Sequence, residues 1–293
     1  LVAIGLFGAF ASTAQARSFG SLEFEACTLA PEFSTESVEA QCATLEVPEN
    51  RAAPDGRKIE LAIAWVPREG EPSADPVFML AGGPGQSARD SYPSVAPAFR
   101  DILRQRDVIL VDQRGTGGSN ALTCKDAAGE NAFTAADDQS LEGAARFARE
   151  CLAELNERAD PRFYTTGDAV ADLESVRQAL GVASINLLGI SYGARVAQQY
   201  VMHHPAQTRS VILDGVVPNT LVLGSEHAKN LDAALALQFA RCGEVEACKS
   251  AFGDPKKNFE TLAAELRAAP RKVSFRDAVT GEMLEEELTY GHL

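Results

Sequence analysis

Short continuous apolar runs, each stopped by glycine or a turn former, recur along the chain. Pro76-Val77-Phe78-Met79-Leu80 ends at Gly82-Gly83-Pro84-Gly85, and Asp107-Val108-Ile109-Leu110-Val111-Asp112 ends at Gln113-Arg114-Gly115. Ile185-Asn186-Leu187-Leu188-Gly189-Ile190 and Ser210-Val211-Ile212-Leu213-Asp214 are two more. Runs of this length predict strands covered on both faces. Ile59 to Val66 alternates in part and predicts a further strand. By contrast, residues 17–57 read as polar and turn-rich, with Pro48 and Pro54-Asp55-Gly56.

Helical periods lie between the runs. Leu141 to Arg158 is rich in Ala, Glu and Arg. Asp168 to Leu180 sets Val170, Leu173, Val176 and Leu180 on one stripe, with Gly181 as a stop. Tyr192 to His204 ends before Pro205. Alternation of strand and helix predicts an α/β fold with a mostly parallel sheet flanked by helices. From Pro218 to Ala269 the pattern is helical throughout, as in a cap inserted after a sheet strand. Lys272 to Tyr290 reads as a hairpin around Thr280-Gly281. The expected division is a leader over 1–16, a core over 17–217, and a cap and hairpin over 218–293.

Composition narrows the class. The 293 residues are 45% hydrophobic and 23% charged, with a net charge of -14. That balance suits a globular protein and argues against nucleic-acid or anionic-membrane binding. Leu1 to Ala11 is an apolar run too short to span a bilayer. Ala14-Gln15-Ala16 follows it, so the pair reads as the apolar region and cleavage site of a secretory leader. The expected location is periplasmic or secreted, with no membrane span once the leader is removed. All six cysteines follow the leader, which favours disulfides. Proximity in sequence selects Cys27 with Cys42, Cys124 with Cys151 and Cys242 with Cys248, one of 15 possible pairings. No Cys-x-x-Cys or neighbouring His points to a metal, and no cofactor is expected.

The chemistry lies in Gly189-Ile190-Ser191-Tyr192-Gly193, a G-x-S-x-G after a strand and before a helix. In that context the sharp turn pushes a serine hydroxyl out above the sheet, so Ser191 is the expected nucleophile. The oxyanion donors expected are the backbone N–H groups of Tyr192 and Gly83, with Gly82 shaping the loop. A phosphate-binding loop is excluded, because Gly-Lys-Ser/Thr is absent and Asn120 stands where a dinucleotide fingerprint needs its last glycine.

Gly82-Gly83-Pro84-Gly85, Asp112-Gln113-Arg114-Gly115-Thr116-Gly117, Gly189 to Gly193 and Leu213-Asp214-Gly215-Val216-Val217-Pro218 together resemble the α/β-hydrolase peptidases of the proline iminopeptidase type. The cysteines, the leader and Thr165-Thr166-Gly167-Asp168 resemble the tripeptidyl-aminopeptidase-like branch. The resemblance covers roughly residues 40–250. Ala81 departs from it, standing where iminopeptidases usually carry His. The resemblance implies an α/β-hydrolase with an inserted helical cap, acting on peptide substrates.

A serine nucleophile in this fold takes its carboxylate and then its histidine from later in the chain. His203 and His204 end the nucleophile helix, His227 falls in the cap, and no strand of the core precedes His292. Asp214 reads as a turn-shaping residue more than as the acid. Family members continue after the cap with two strands that carry acid and base, so both are expected beyond Leu293. Glu226, Glu244 and Glu246 lie where a carboxylate could meet a substrate ammonium, and none is assigned. The reading is an exported serine hydrolase releasing N-terminal residues or short peptides. Its rivals are a carboxylesterase and a non-catalytic binding module on the same scaffold.

Overall fold

The computed structural model describes residues 16–30, 36–71, 75–125, 141–222, 224–278 and 280–293. Apart from Ala16, the expected leader lies outside the described residues. The chain divides into two compact units between Thr220 and Leu221.

The first unit runs β1 (Arg17–Phe19), β2 (Leu22–Leu29), β3 (Val38–Pro48), β4 (Lys58–Val66), β5 (Val77–Leu80), α1 (Ala88–Val95), α2 (Arg100–Leu103), β6 (Val108–Val111), α3 (Leu141–Arg158), α4 (Thr166–Ala179), β7 (Ile185–Ile190), α5 (Tyr192–His203) and β8 (Thr208–Asp214). Eight strands form one sheet in the order β1-β2-β3-β4-β6-β5-β7-β8. Pairings from β6 through β5 and β7 to β8 are parallel, and those from β1 to β4 and on to β6 are antiparallel. The mostly parallel sheet expected is thus a mixed one, parallel in the half that carries Ser191.

The antiparallel half corrects the reading of residues 17–57 as polar and turn-rich. Leu22, Phe24 and Leu29 of β2 are buried while Glu23 and Glu25 are exposed, so one face of a strand that alternates with glutamate joins the core. Cys27–Cys42 ties β2 to β3, with its Cα atoms 5.8 Å apart.

The core explains the apolar runs. Every residue of β5 and β6 is buried. Phe78, Leu80, Ile109 and Val111 pack on one face with Val170, Leu173 and Val176 of α4 and Val196, Ala197 and Tyr200 of α5. Val77, Met79, Val108 and Leu110 pack on the other with Ala88 and Tyr92 of α1 and with Phe99. Alternate residues of one strand therefore serve two separate cores, which leaves no position for a polar side chain. α4 starts at a capping box, in which Thr165 and Asp168 bond each other's backbone N–H. Cys124–Cys151 links the segment after β6 to α3, and Arg158 donates to the carbonyls of Ala121 and Thr123 beside it.

The second unit holds α6 (His227–Glu244), α7 (Glu246–Phe252), α8 (Pro255–Ala268) and a hairpin of β9 (Arg271–Arg276) and β10 (Met283–Leu288). Cys242–Cys248 joins α6 to α7. Phe239 and Phe259 meet at 5.9 Å between α6 and α8, and Arg267 stacks on Tyr290 at 4.2 Å.

Candidate active site

β7 ends at Ile190 and α5 begins at Tyr192, so one residue makes the whole turn. That residue, Ser191, adopts φ 55° and ψ -117° and is exposed. A side-chain-bearing residue in that region is strained, and the surroundings must enforce it. Two close approaches do so. A Cβ on Gly189 would lie 2.3 Å from the Gly193 carbonyl oxygen, and one on Gly193 would lie 2.1 Å from that of Leu80. Glycine at both positions lets the first turn of α5 press onto the ends of β7 and β5. The Ser191 N–H donates to the Asp214 carbonyl at 2.8 Å, which pins the turn to the end of β8.

Pressing α5 onto β5 brings Ser191 against the loop that follows β5. A Cβ on Gly82 would sit 3.0 Å from Ser191 Cβ, so a larger residue there would crowd Ser191. Gly83, next in the loop, has φ +98° and is exposed. Among the described residues no hydrogen bond takes up its N–H. Tyr192 opens a helix, where the N–H groups have no partner within the helix. Two backbone N–H groups without a partner among the described residues thus belong to residues next to Ser191 and next to Gly82, which Ser191 abuts. Ala81, at the position where iminopeptidases usually carry His, is buried in the core beneath the loop.

The loop is held from its far end by a residue whose role the sequence did not reveal. Asp112, just after β6 and 1% exposed, accepts bonds from Ser87 Oγ at 2.7 Å, Arg89 N at 3.1 Å and Gly118 N at 3.0 Å. Ser87 is in turn the N-cap of α1, accepting from Asp90 N. One carboxylate therefore fixes both the start of α1 and the Gly115-Thr116-Gly117-Gly118 turn. A Cβ on Gly117 would fall 2.3 Å from Asp112 Oδ2. The glycines of this turn make room for the protein's own carboxylate.

Arg114 points the other way. Its Nε and Nη2 bind both oxygens of Asp172 at 2.6 and 2.7 Å, and its Nη1 donates to the carbonyls of Glu49 and Phe163. Arg51 also donates to Asp172. Burial acts to lower the Arg114 pKa, but the Asp172 bonds outweigh it and raise it above its ordinary value. Asp172 lies on α4, whose first turn carries Thr166, and Thr166 Oγ1 lies 2.5 Å from the Tyr192 hydroxyl. A cavity of about 170 Å³ opens here, with Pro84, Gly85, Gly115, Tyr164 and Tyr192 among its walls.

The histidines of the first unit are not placed to serve Ser191. His203 is twelve residues along α5, about 18 Å at the helical rise, and its Nδ1 meets the Gln199 carbonyl. His204 packs on Tyr200 at 4.9 Å. In the second unit, His292 Nδ1 accepts from Thr289 N, and His227 opens α6. Asp214 meets Ser191 through its backbone carbonyl, and Gly215 behind it has φ +59°. Glu226 pairs with Lys229 at 3.2 Å, while Glu244 and Glu246 flank the junction of α6 and α7. Among the described residues no three His, Cys, Asp or Glu gather as a metal site.

The chain is similar in sequence to several known proteins. The chain is 28% identical over 275 residues to the serine protease Hip1 of Mycobacterium tuberculosis (strain H37Rv), covering 84% of this chain and 52% of that protein. It is 29% identical over 250 residues to the tripeptidyl aminopeptidase of Streptomyces lividans, covering 79% and 46%. It is 30% identical over 265 residues to carboxylesterase B of Mycobacterium tuberculosis (strain CDC 1551), covering 83% and 51%. The chain thus spans about half the length of these curated relatives. A proline iminopeptidase-related protein from Thermus thermophilus is similar in structure, with 25% identity, 58% of this chain and 43% of that one covered, and a TM-score of 0.34. Residues 75–267 match the alpha/beta hydrolase fold family, and the chain belongs to it.

Proposed function

We propose that this chain carries the nucleophile of an exported serine hydrolase that releases N-terminal residues or short peptides. One observation carries the reading: Ser191 is exposed on a strained turn, hard against Gly82 of the loop that carries Gly83. Ser191 attacks the scissile carbonyl, the N–H groups of Gly83 and Tyr192 hold the oxyanion, and the acyl-enzyme is hydrolysed by water. The base and acid come from sequence after Leu293 in the intact protein. The displacement of His203 and His204 from Ser191, and the half-length match to the relatives, support that assignment. The tripeptidyl aminopeptidase among the relatives favours peptide substrates. The three disulfides are compatible with the oxidising compartment that a leader implies.

Carboxylesterase B among the relatives supports a second reading, ester hydrolysis on the same scaffold. Turnover of tripeptidyl and aminoacyl p-nitroanilides by the intact protein, against p-nitrophenyl butyrate, separates the two. The peptidase reading expects anilide turnover that N-acetylation abolishes and that Ser191→Ala removes. Ester turnover alone would replace it by the second reading. Activity that survives Ser191→Ala would remove both.

A further inference from the structure

The loop between Gly82 and α1 holds one long polar side chain, that of Gln86. Its backbone N–H closes back on the Gly82 carbonyl at 3.4 Å, and its neighbour Ser87 is fixed by Asp112. The position of its Cα is therefore set from both sides. Its carboxamide is exposed and has no hydrogen-bond partner in the protein among the described residues. Yet it is turned inward over the loop. A Cβ on Gly82 would lie 3.1 Å from Gln86 Oε1 and 3.0 Å from Ser191 Cβ. The carboxamide and the Ser191 side chain thus both border the one space that a Cβ on Gly82 would fill. An unpartnered amide held beside an exposed hydroxyl has no structural bond to account for its place.

We propose that Gln86 is a substrate-contacting residue whose Nε2–H donates to the carbonyl oxygen of the acyl group attacked by Ser191. This rests on the serine hydrolase reading and deepens it. As the Ser191 Oγ–carbon bond forms, the carbonyl π pair moves onto that oxygen, and the hydroxyl proton passes to the general base of the intact protein. The negative charge then faces the Gly83 and Tyr192 N–H groups from the backbone and the Gln86 amide from a side chain. A half-turn of the terminal amide exchanges Oε1 and Nε2, so the donor reaches the place now held by the acceptor. Side-chain amides serve this role in other acyl-transfer sites, where loss of one donor lowers kcat by about a hundred- to a thousandfold. Here two backbone donors remain, and the expected loss is smaller.

The test uses the intact protein, with Gln86→Ala, Gln86→Glu and Ser191→Ala beside the wild type. The readouts are the second-order rate of Ser191 modification by a fluorophosphonate, and kcat and KM on p-nitrophenyl butyrate or the p-nitroanilide that is turned over. Both Gln86 variants are expected to slow labelling and kcat by about 10- to 100-fold, with KM changed less than about threefold. The near-isosteric Gln86→Glu lacks a donor at neutral pH, so it should be no better than Gln86→Ala. Thermal midpoints should match the wild type, because the amide bonds nothing in the protein. Wild-type rates in Gln86→Ala with Ser191 still labelled would overturn this inference alone, as would a Gln86→Glu that keeps the full rate. A folded wild type that is not labelled at Ser191 would overturn the hydrolase reading and this inference with it.

Discussion

A Cβ on Gly193 would stand 2.1 Å from the carbonyl oxygen of Leu80. That contact is backbone against backbone, between the second residue of α5 and the last residue of β5. No side chain rotation relieves it, and it is the contact that seats Ser191 beside the loop of Gly82 and Gly83. Gly193→Ala should therefore exceed the roughly 1–3 kcal/mol of ordinary overpacking and cost about 3 kcal/mol or more. Urea unfolding of the first unit reads it. A variant as stable as the wild type would mean that α5 and β5 move apart freely, and that the position of Ser191 is set elsewhere.

Asp112 should separate stability from activity. It joins Ser87, Arg89 and Gly118 within one turn. Asp112→Asn keeps the shape and loses charge, and one of its amide hydrogens must face a donor, so a loss of about 2 kcal/mol is expected. Because Ser87 anchors the loop that carries Gly83 and Gln86, kcat of the intact protein should fall further than KM changes. Equal activity after correction for folded fraction would confine Asp112 to a purely structural part.

Arg114 and Asp172 are 0% and 2% exposed at their side chains, so each is the other's compensation for lost water. Removing one leaves a buried charge. Arg114→Met or Asp172→Ala should each cost about 3–5 kcal/mol. Arg51 also reaches Asp172, so Asp172 keeps one cation when Arg114 is lost, whereas Arg114 keeps only neutral carbonyl partners when Asp172 is lost. Asp172→Ala should therefore be the worse of the two, as denaturant midpoints will show.

The difference between these sites says what the sequence made legible. Ser191 sits in a local pattern, a strand, a five-residue turn motif and a helix, and each part obeys a short-range rule. The apolar runs of β5 and β6 are equally local, since burial on both faces leaves no room for a polar residue. The disulfides join cysteines close in sequence. What stayed hidden is non-local or masked by competing signals. Arg114 meets Asp172 across 58 residues, and nothing near either residue announces the other. The strands of residues 17–57 have glutamates on their outer face and turn formers at their ends, so their period-two pattern was outweighed by polarity. Gln86 gave no signal at all, because its interest lies in the absence of a partner, which only coordinates reveal.

The last expectation is a pH dependence with a defined sign. Glu174 on α4 receives Arg177 Nε and Nη2 at 2.8 and 2.6 Å, Gln178 Nε2 at 2.8 Å and the Tyr200 hydroxyl at 2.8 Å. The Arg177 bonds, ahead of those from Gln178 and Tyr200 and against the opposing effect of burial, hold its pKa at about 2 instead of 4.5. A carboxyl depressed on folding binds its proton more readily unfolded. Its contribution is therefore complete above about pH 4.5 and is lost as pH falls from there toward about 2. A shift of this size corresponds to at most about 3 kcal/mol, on the scale of about 1.36 kcal/mol per pKa unit. Other carboxylates titrate over the same range, so the quantity to measure is the difference between wild type and Glu174→Gln. That difference in unfolding free energy should be constant from about pH 7 to about 5 and shrink steadily below about 4.5. At about pH 2.5 most of it should be gone. A difference that stays constant down to that pH would mean that Glu174 acts between α4 and α5 through shape and neutral hydrogen bonding, with its charge contributing nothing.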